Sequence, residues 1–380
     1  MAQDSRAYYL DWIRIIVILL LVPFHSAVTF TVHGDGFIKY PQNVPLMDDF
    51  LWFLSIWIMP VLFLISGMSA YFALERRTPA QFARERRSKL LRPLMAGFLL
   101  VCPPLSYLRA LFMGSFHGSL IQFYPHFFNG TYPRGNLNWG HLWFLAYLFV
   151  FTLILLPLFV RMRREPLRTR LAEASAVLEK GLWIYLIAAP LMITESVLRP
   201  IFPGLQNLVW DWANFTFYLA LVFYGFIFAI NGRILDNVQR IRAIFLGMGI
   251  VLFAGAIASR RMGVASPLAR VFPAYNVLMV FSWVFAVLGY AKELLNIRSR
   301  AYSFLNEASF PFYIFHFLPI TMVAYFIARA NGNVWLKYIL LVVVAYPSTF
   351  GLYGIVKRIP YLRGAFGIKG KAGTRVPERG

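Results

Sequence analysis

Apolar stretches long enough to cross a bilayer recur along the whole chain, and this leaves it few ways to fold. Hydrocarbon offers no hydrogen-bond partner to a backbone N–H or C=O, so a spanning segment has to satisfy its own backbone, as a helix does. About 20 predominantly apolar residues suffice for one crossing. Ten segments fit that length, at 12–32, 50–74, 93–113, 141–160, 181–198, 213–230, 243–258, 274–291, 304–328 and 335–356. Charged residues make up 14% of the chain and hydrophobic ones 59%, whereas a soluble domain carries about 25% charged residues. The expected fold is therefore all-α, a polytopic membrane protein of about ten transmembrane helices spanning 1–356, with a basic cytoplasmic tail over 357–380.

The net charge of +21 invites a nucleic-acid reading until the charges are placed. Lys and Arg gather in alternate loops, at 76–92, 161–180, 233–242, 292–300 and 357–379, while the other loops hold little beyond Lys39, Arg134 and Arg199. That alternation is the positive-inside pattern, with both termini cytoplasmic and an even number of spans. The basic excess is topological, and no nucleic-acid partner is expected. One loop dissents: Arg260, Arg261 and Arg270 fall on the predicted outer side. Either they have a specific role or a span is miscounted. The first span is expected to stay in place, being too long for a signal h-region and lacking a small-x-small cleavage pattern. Cys102 is the only cysteine, which removes intrachain disulfides, cysteine zinc clusters and dithiol chemistry. No metal site is expected.

Inside the first span stand Arg14 and His25, with Ile15 to Phe24 apolar between them. A charged group at mid-membrane costs on the order of 3 kcal/mol, so such residues are usually retained for function. Eleven positions separate the two. At 100° and 1.5 Å per residue they share one stripe of the helix to within about 20°, about 16 Å apart. Asp11 falls near the same stripe. For Arg14 alone, the competing reading is a side chain snorkelling to the interface. His141 and His316 also lie in or beside predicted spans, where a histidine is as readily a packed, hydrogen-bonded core group as a reactive one. His33, His117 and His126 lie in loops. Glu195 is either an interface residue near Arg199 or a polar group lining a cavity. Two connections, 114–139 and 200–214, interleave Trp, Tyr and Phe with Asn, Asp and His; interfacial anchoring is favoured over a sugar-stacking platform. No internal repeat of the transporter kind is visible.

Several of these residues fall into motifs that resemble acyltransferase family 3, the integral-membrane O-acyltransferases. The likeness runs over nearly the whole chain: Tyr8-Tyr-Leu-Asp11-Trp-Ile-Arg14 through Pro23-Phe-His25, with arginine and histidine separated by ten residues; Phe63-Leu-Ile-Ser66-Gly67; Arg86-Arg-Ser-Lys89 ahead of Pro93; Gly140-His141-Leu-Trp143-Phe-Leu; and Phe312-Tyr-Ile-Phe-His316. The third motif departs from the family's arginine-x-x-arginine by ending in Lys89, so bidentate phosphate contact there is in doubt. Within the family the chain is most similar to enzymes that succinylate periplasmic glucans, sharing Leu-Asp-x-Ile-Arg, Pro-Phe-His and the closing Arg358-Ile-Pro-Tyr-Leu.

The resemblance implies transfer of an acyl group, succinyl or acetyl, from cytoplasmic acyl-CoA to a hydroxyl of an extracytoplasmic glycan, by a multi-pass protein of the bacterial inner membrane with no permanently bound cofactor. Such a transfer needs a base for the hydroxyl proton, and a histidine suits it. His25 is the candidate, with Pro23 able to bend the helix beside it. Arg14 is a candidate for the CoA pyrophosphate or pantetheine carbonyls, or for pairing with Asp11. Arg86, Lys89 and Arg92 are candidates for the nucleotide phosphates. His141 and His316 are candidates to orient His25, to stabilise the oxyanion or to contact the acceptor, with Trp143 and Ser66 in support. The alternative reading is a multi-pass transporter or flippase that uses Asp11, Arg14, His25, Glu195 and His316 as a proton or anion relay. The oligomeric state is open.

Overall fold

The computed structural model describes residues 7–31, 36–132, 134–263 and 272–368. Among these, every regular element is a helix, with one isolated bridge pairing Thr131 and Leu137. The chain enters as α1 (Tyr8–Val28), α2 (Pro45–Glu75) and α3 (Pro79–Arg86). A π-turn at Arg87–Leu91 then leads into α4 (Arg92–Leu100) and α5 (Cys102–Phe112). The π-turn has a local cause: Pro93 has no N–H to give the carbonyl of Lys89 four residues back, so the backbone relaxes to a wider hydrogen-bond spacing. After α6 (Leu120–His126), a 3₁₀ turn at Gly140–Leu142 opens α7 (Trp143–Met162), followed by α8 (Leu167–Ala174), α9 (Ala188–Leu198) and α10 (Trp212–Ile230). Then come α11 (Arg233–Arg240), α12 (Arg242–Arg261), α13 (Phe272–Leu294), α14 (Arg300–Phe315), α15 (Phe317–Ile327), α16 (Val334–Arg358) and α17 (Pro360–Ala365).

Nine helical stretches among the described residues are long and apolar enough to span, and the bent pair α14–α15 makes ten. The sequence reading of about ten spans in an all-α protein is met, with three differences. The first span starts at Tyr8, four residues early, so that Asp11 lies in the first turn, where the helix dipole favours an acid. The third begins at Pro79 rather than 93, because the basic run 84–92 is itself good helix former. The ninth, expected as a single crossing over 304–328, is two helices bent by 50° at His316.

The helices form two compact units. The first takes α1 up to Leu20, Val44–Arg86 and Trp143–Ser303. Its centre is the packing of α2 on α10, which demands glycine. A Cβ on Gly67 would stand 1.9 Å from the Val222 carbonyl oxygen, and one on Gly225 would stand 1.9 Å from that of Leu64. Small residues at such a crossing let two backbones touch, which is how helices associate without a hydrophobic drive in lipid. The Ser66-Gly67 motif therefore has a packing function: the Ser66 hydroxyl donates to the Leu62 carbonyl of its own helix, at 2.7 Å, and Gly67 makes the contact.

The second unit takes α1 from Leu21, together with Arg87–Leu142 and Phe304–Gly380. The break between α14 and α15 follows from local chemistry. An unbroken helix would offer the carbonyls of Tyr313 and Ile314 to the amides of Phe317 and Leu318. Here the imidazole of His316 bonds the Tyr313 carbonyl at 2.7 Å and that of His141 bonds the Ile314 carbonyl at 2.9 Å. One residue further, Pro319 has no N–H for the carbonyl of Phe315. The predicted tail from 369 onward, His33 and Arg270 lie outside the described residues.

Candidate active site

Three histidines from three distant stretches meet in the second unit. His25 comes from the last turn of α1, His141 from the 3₁₀ turn before α7, and His316 from the α14–α15 break. Their ring centroids stand 5.2 Å apart for His25–His316, 4.9 Å for His141–His316 and 6.5 Å for His25–His141. Phe317 lines the group, 4.3 Å from His25 and 5.4 Å from His141. Gly140 carries φ +50°, a left-handed conformation that glycine adopts without strain, and this turns His141 inward. The Tyr313 hydroxyl donates to the His141 carbonyl, so the 3₁₀ turn and the helix break are tied together at two points.

These bonds fix the tautomers. A carbonyl can only accept, so Nε2 of His141 and Nδ1 of His316 carry the protons that reach Ile314 and Tyr313. In the neutral rings, Nδ1 of His141 and Nε2 of His316 are then bare lone pairs. Both atoms are buried without a hydrogen-bond partner, in residues only 6% and 0% exposed. His25 is partly exposed. The cluster thus places one partly exposed histidine beside two buried ones whose free nitrogens can only accept.

At the other end of α1, Arg14 donates to Asp11 at 2.8 Å, and Asp11 also accepts from the Tyr302 hydroxyl at 2.6 Å. A longer contact of 3.4 Å joins Arg14 to the Ser69 hydroxyl. Of the alternatives open to Arg14, the pairing with Asp11 forms, and Arg14 keeps 32% of its side chain exposed. Arg86 lies over the Phe82 ring, 4.6 Å from its centroid, in the helix that precedes the π-turn. Lys89 in that turn and Arg92 just after it are exposed. Trp143 packs among Phe63, Tyr147 and Tyr218 in the first unit, with centroids 5.3–6.0 Å away.

The dissenting arginines have partners: Arg261 and, at 3.7 Å, Arg260 both meet Asp49 in the first turns of α2. Glu195, buried in α9, holds Arg199 through two bonds of 2.9 Å. In the connection before α10, Trp210 and Trp212 are exposed while Asp211 between them is fully buried. His117 and His126 are exposed. Sequence reasoning singled out the three histidines and offered His141 and His316 as candidates to orient His25, but it identified no local feature that brings the rings together. The overlooked signal was Pro319, three residues after His316, which marks the break that turns this histidine inward.

A chain of membrane-spanning helices carrying this motif set is an acyl-transferring membrane protein: it belongs to the acyltransferase domain family, which it matches over residues 7–354. It is similar to glucans biosynthesis protein C of Escherichia coli strain K12 and of Escherichia coli O157:H7, in each case 24% identical over 385 residues that cover 95% of this chain and 94% of the relative. No solved structure matches it. The protein is accordingly a multi-pass membrane protein of an acyltransferase family.

Proposed function

We propose that this protein moves a succinyl or acetyl group from acyl-CoA to a hydroxyl of an extracytoplasmic glycan at the bacterial inner membrane, with His25 as general base. The observation that carries the reading is the histidine cluster, in which one partly exposed histidine stands beside two buried ones with fixed acceptors. The acceptor hydroxyl gives its proton to a bare nitrogen of His25 as its oxygen attacks the thioester carbonyl. The carbon–sulfur bond then breaks, and the imidazolium returns the proton to the departing thiolate. While His25 carries two N–H groups, the bare nitrogens of His141 and His316 can receive one of them or hold the acceptor hydroxyl. In their neutral tautomers they have no donor for an oxyanion, so of the roles open to them, orientation and acceptor contact are the ones supported. Arg14, Lys89 and Arg92, with Arg86, are the cations proposed for the CoA phosphates, Arg14 by way of the face its ion pair with Asp11 leaves open.

Mass spectrometry of envelope glycans from cells with and without the protein tests this reading. Acyl substituents that depend on the protein are expected, together with turnover of acyl-CoA by the reconstituted chain. Identical glycans, or indifference to every acyl-CoA, would overturn it in favour of transport.

A further inference from the structure

A dicarboxylic acyl chain such as succinyl differs from acetyl by one carboxylate, and a site that prefers it needs a cation within reach of the thioester. The obvious cations already have carboxylate partners: Arg199 has Glu195, and Arg260 and Arg261 share Asp49. Lys337 is not. It is 6% exposed, and its ammonium donates to the Tyr40 hydroxyl at 2.8 Å and to the Ala330 carbonyl, 4.0 Å from the centroid of the Tyr40 ring. Among the described residues no carboxylate pairs with it. It also sits in the first turn of α16, whose N-cap Asn333 accepts from Trp335 and Leu336. The dipole there already presents positive charge, so a lysine is out of place. A buried ammonium with neutral partners and a like-signed helix end is a standing demand for an anion.

Its neighbours bond to the chain on either side of His25. Tyr40, the partner of Lys337, donates its backbone N–H to the Thr29 carbonyl at 2.7 Å, and Thr29 lies one turn or about 6 Å beyond His25 along the chain. The next residue, Tyr338, reaches the Pro23 carbonyl at 3.4 Å, two residues before His25. All of these belong to the second unit, with the histidine cluster. An extended succinyl group carries its carboxylate carbon about 4 Å from the thioester carbonyl, across three bonds; acetyl ends before it.

We propose that Lys337, buried in the first turn of α16 with no carboxylate partner among the described residues, receives the terminal carboxylate of a dicarboxylic acyl donor and so sets which acyl group is transferred. The proposal rests on the acyl-transfer reading above. The test uses the full chain in nanodiscs with a neutral glucan acceptor and three donors: succinyl-CoA, its methyl ester at the free carboxylate, and acetyl-CoA. The unmodified protein should favour succinyl-CoA over the ester by about 10- to 100-fold in kcat/KM, the range of a hydrogen bond to a charged group. In Lys337→Met, the ratio of succinyl to acetyl transfer should fall by a similar factor. Equal use of succinyl-CoA and its ester overturns the proposal, and so does a charge preference that survives Lys337→Met. If that variant fails to fold, the ester comparison in the unmodified protein decides alone. A protein that transfers acetyl but has no preference for the carboxylate refutes this role and leaves the parent reading standing; one that uses no acyl-CoA refutes both.

Discussion

Among the described residues each unit buries a polar cluster, one around Asp211 and one around the three histidines, and these two are wired in opposite senses. In the first unit, donors converge on Asp211: its Oδ2 accepts from the Tyr147 hydroxyl, from the Gln206 amide at 2.8 Å and from Asn214 at 3.1 Å, while the Leu208 amide donates to Tyr147 at 3.1 Å. Gln206 and Leu208 hold φ values of +53° and +63°, strained for side chains of their kind by about 1–3 kcal/mol each. The network holds a turn in a shape the backbone would not choose. In the second unit, donors point away from the centre to backbone carbonyls, and the lone pairs of His141 and His316 point inward without partners. A buried polar group that has its bonds is architecture. Asp211 also keeps one bare oxygen, Oδ1, so the contrast lies in the donors that reach each group: three on Asp211 Oδ2, none on the bare nitrogens of the two histidines.

If that contrast is right, the largest loss should come from His25. His25→Ala is expected to lower transfer by about 10²–10⁴-fold, the usual contribution of a general base, with insertion and thermal unfolding unchanged. Acyl transfer measured in nanodiscs decides it, and near-normal turnover would return His25 to the packing role. The next effect separates holding from accepting. His316→Asn keeps a donor near the Nδ1 position for the Tyr313 carbonyl and removes the bare Nε2; His141→Gln keeps a donor near Nε2 and removes Nδ1. Each should lower the rate by about tenfold to 100-fold, the scale of loss when reacting groups are misplaced. If both retain full rate, the rings only support the helix break, and the histidine cluster is wired like Asp211.

The first unit should answer differently. Gly67→Val puts a side chain where the Val222 carbonyl already stands, and overpacking of this kind costs about 1–3 kcal/mol. The expected result is a lower unfolding temperature with KM unchanged in the fraction that remains folded. A stability equal to that of the unmodified protein would mean that α2 and α10 are not held at the backbone.

Hydrophobic composition and length made the ten spans readable, and the place of Asp11 near the Arg14 stripe made their pairing one of the readable alternatives. Other features depended on partners far along the chain. Gly67 needs Gly225, 158 residues later, and nothing local to Ser66-Gly67 points to that helix. The convergence of His25, His141 and His316 likewise requires the helix break, whose cause is divided between Pro319 and two imidazoles. Lys337 did leave a local signal, a charge in the opening turn of an apolar segment, the same kind that singled out Arg14. It belonged to no motif, and only its burial without a carboxylate distinguishes it from an interfacial anchor.

The smallest effect concerns Asp211 and tests whether its cluster is closed. Its Oδ1 is buried without a partner, and burial pushes its carboxyl above the usual carboxylate range, although hydrogen bonds from Tyr147, Asn214 and the Gln206 amide pull the other way. A carboxyl whose pKa is higher in the folded state binds its proton more tightly there. Its contribution is fully present below the unfolded value and is lost as pH rises through the folded one. Stability should therefore fall as the pH climbs from the ordinary carboxylate range toward neutrality. In Asp211→Asn that slope should disappear, since the amide does not titrate and its oxygen can still accept from Tyr147 and Gln206. Unfolding temperatures of both proteins across this window measure it. A slope of the opposite sign would mean that the three donors outweigh burial and keep the carboxylate charged, in which case this network is closed by charge rather than by a retained proton.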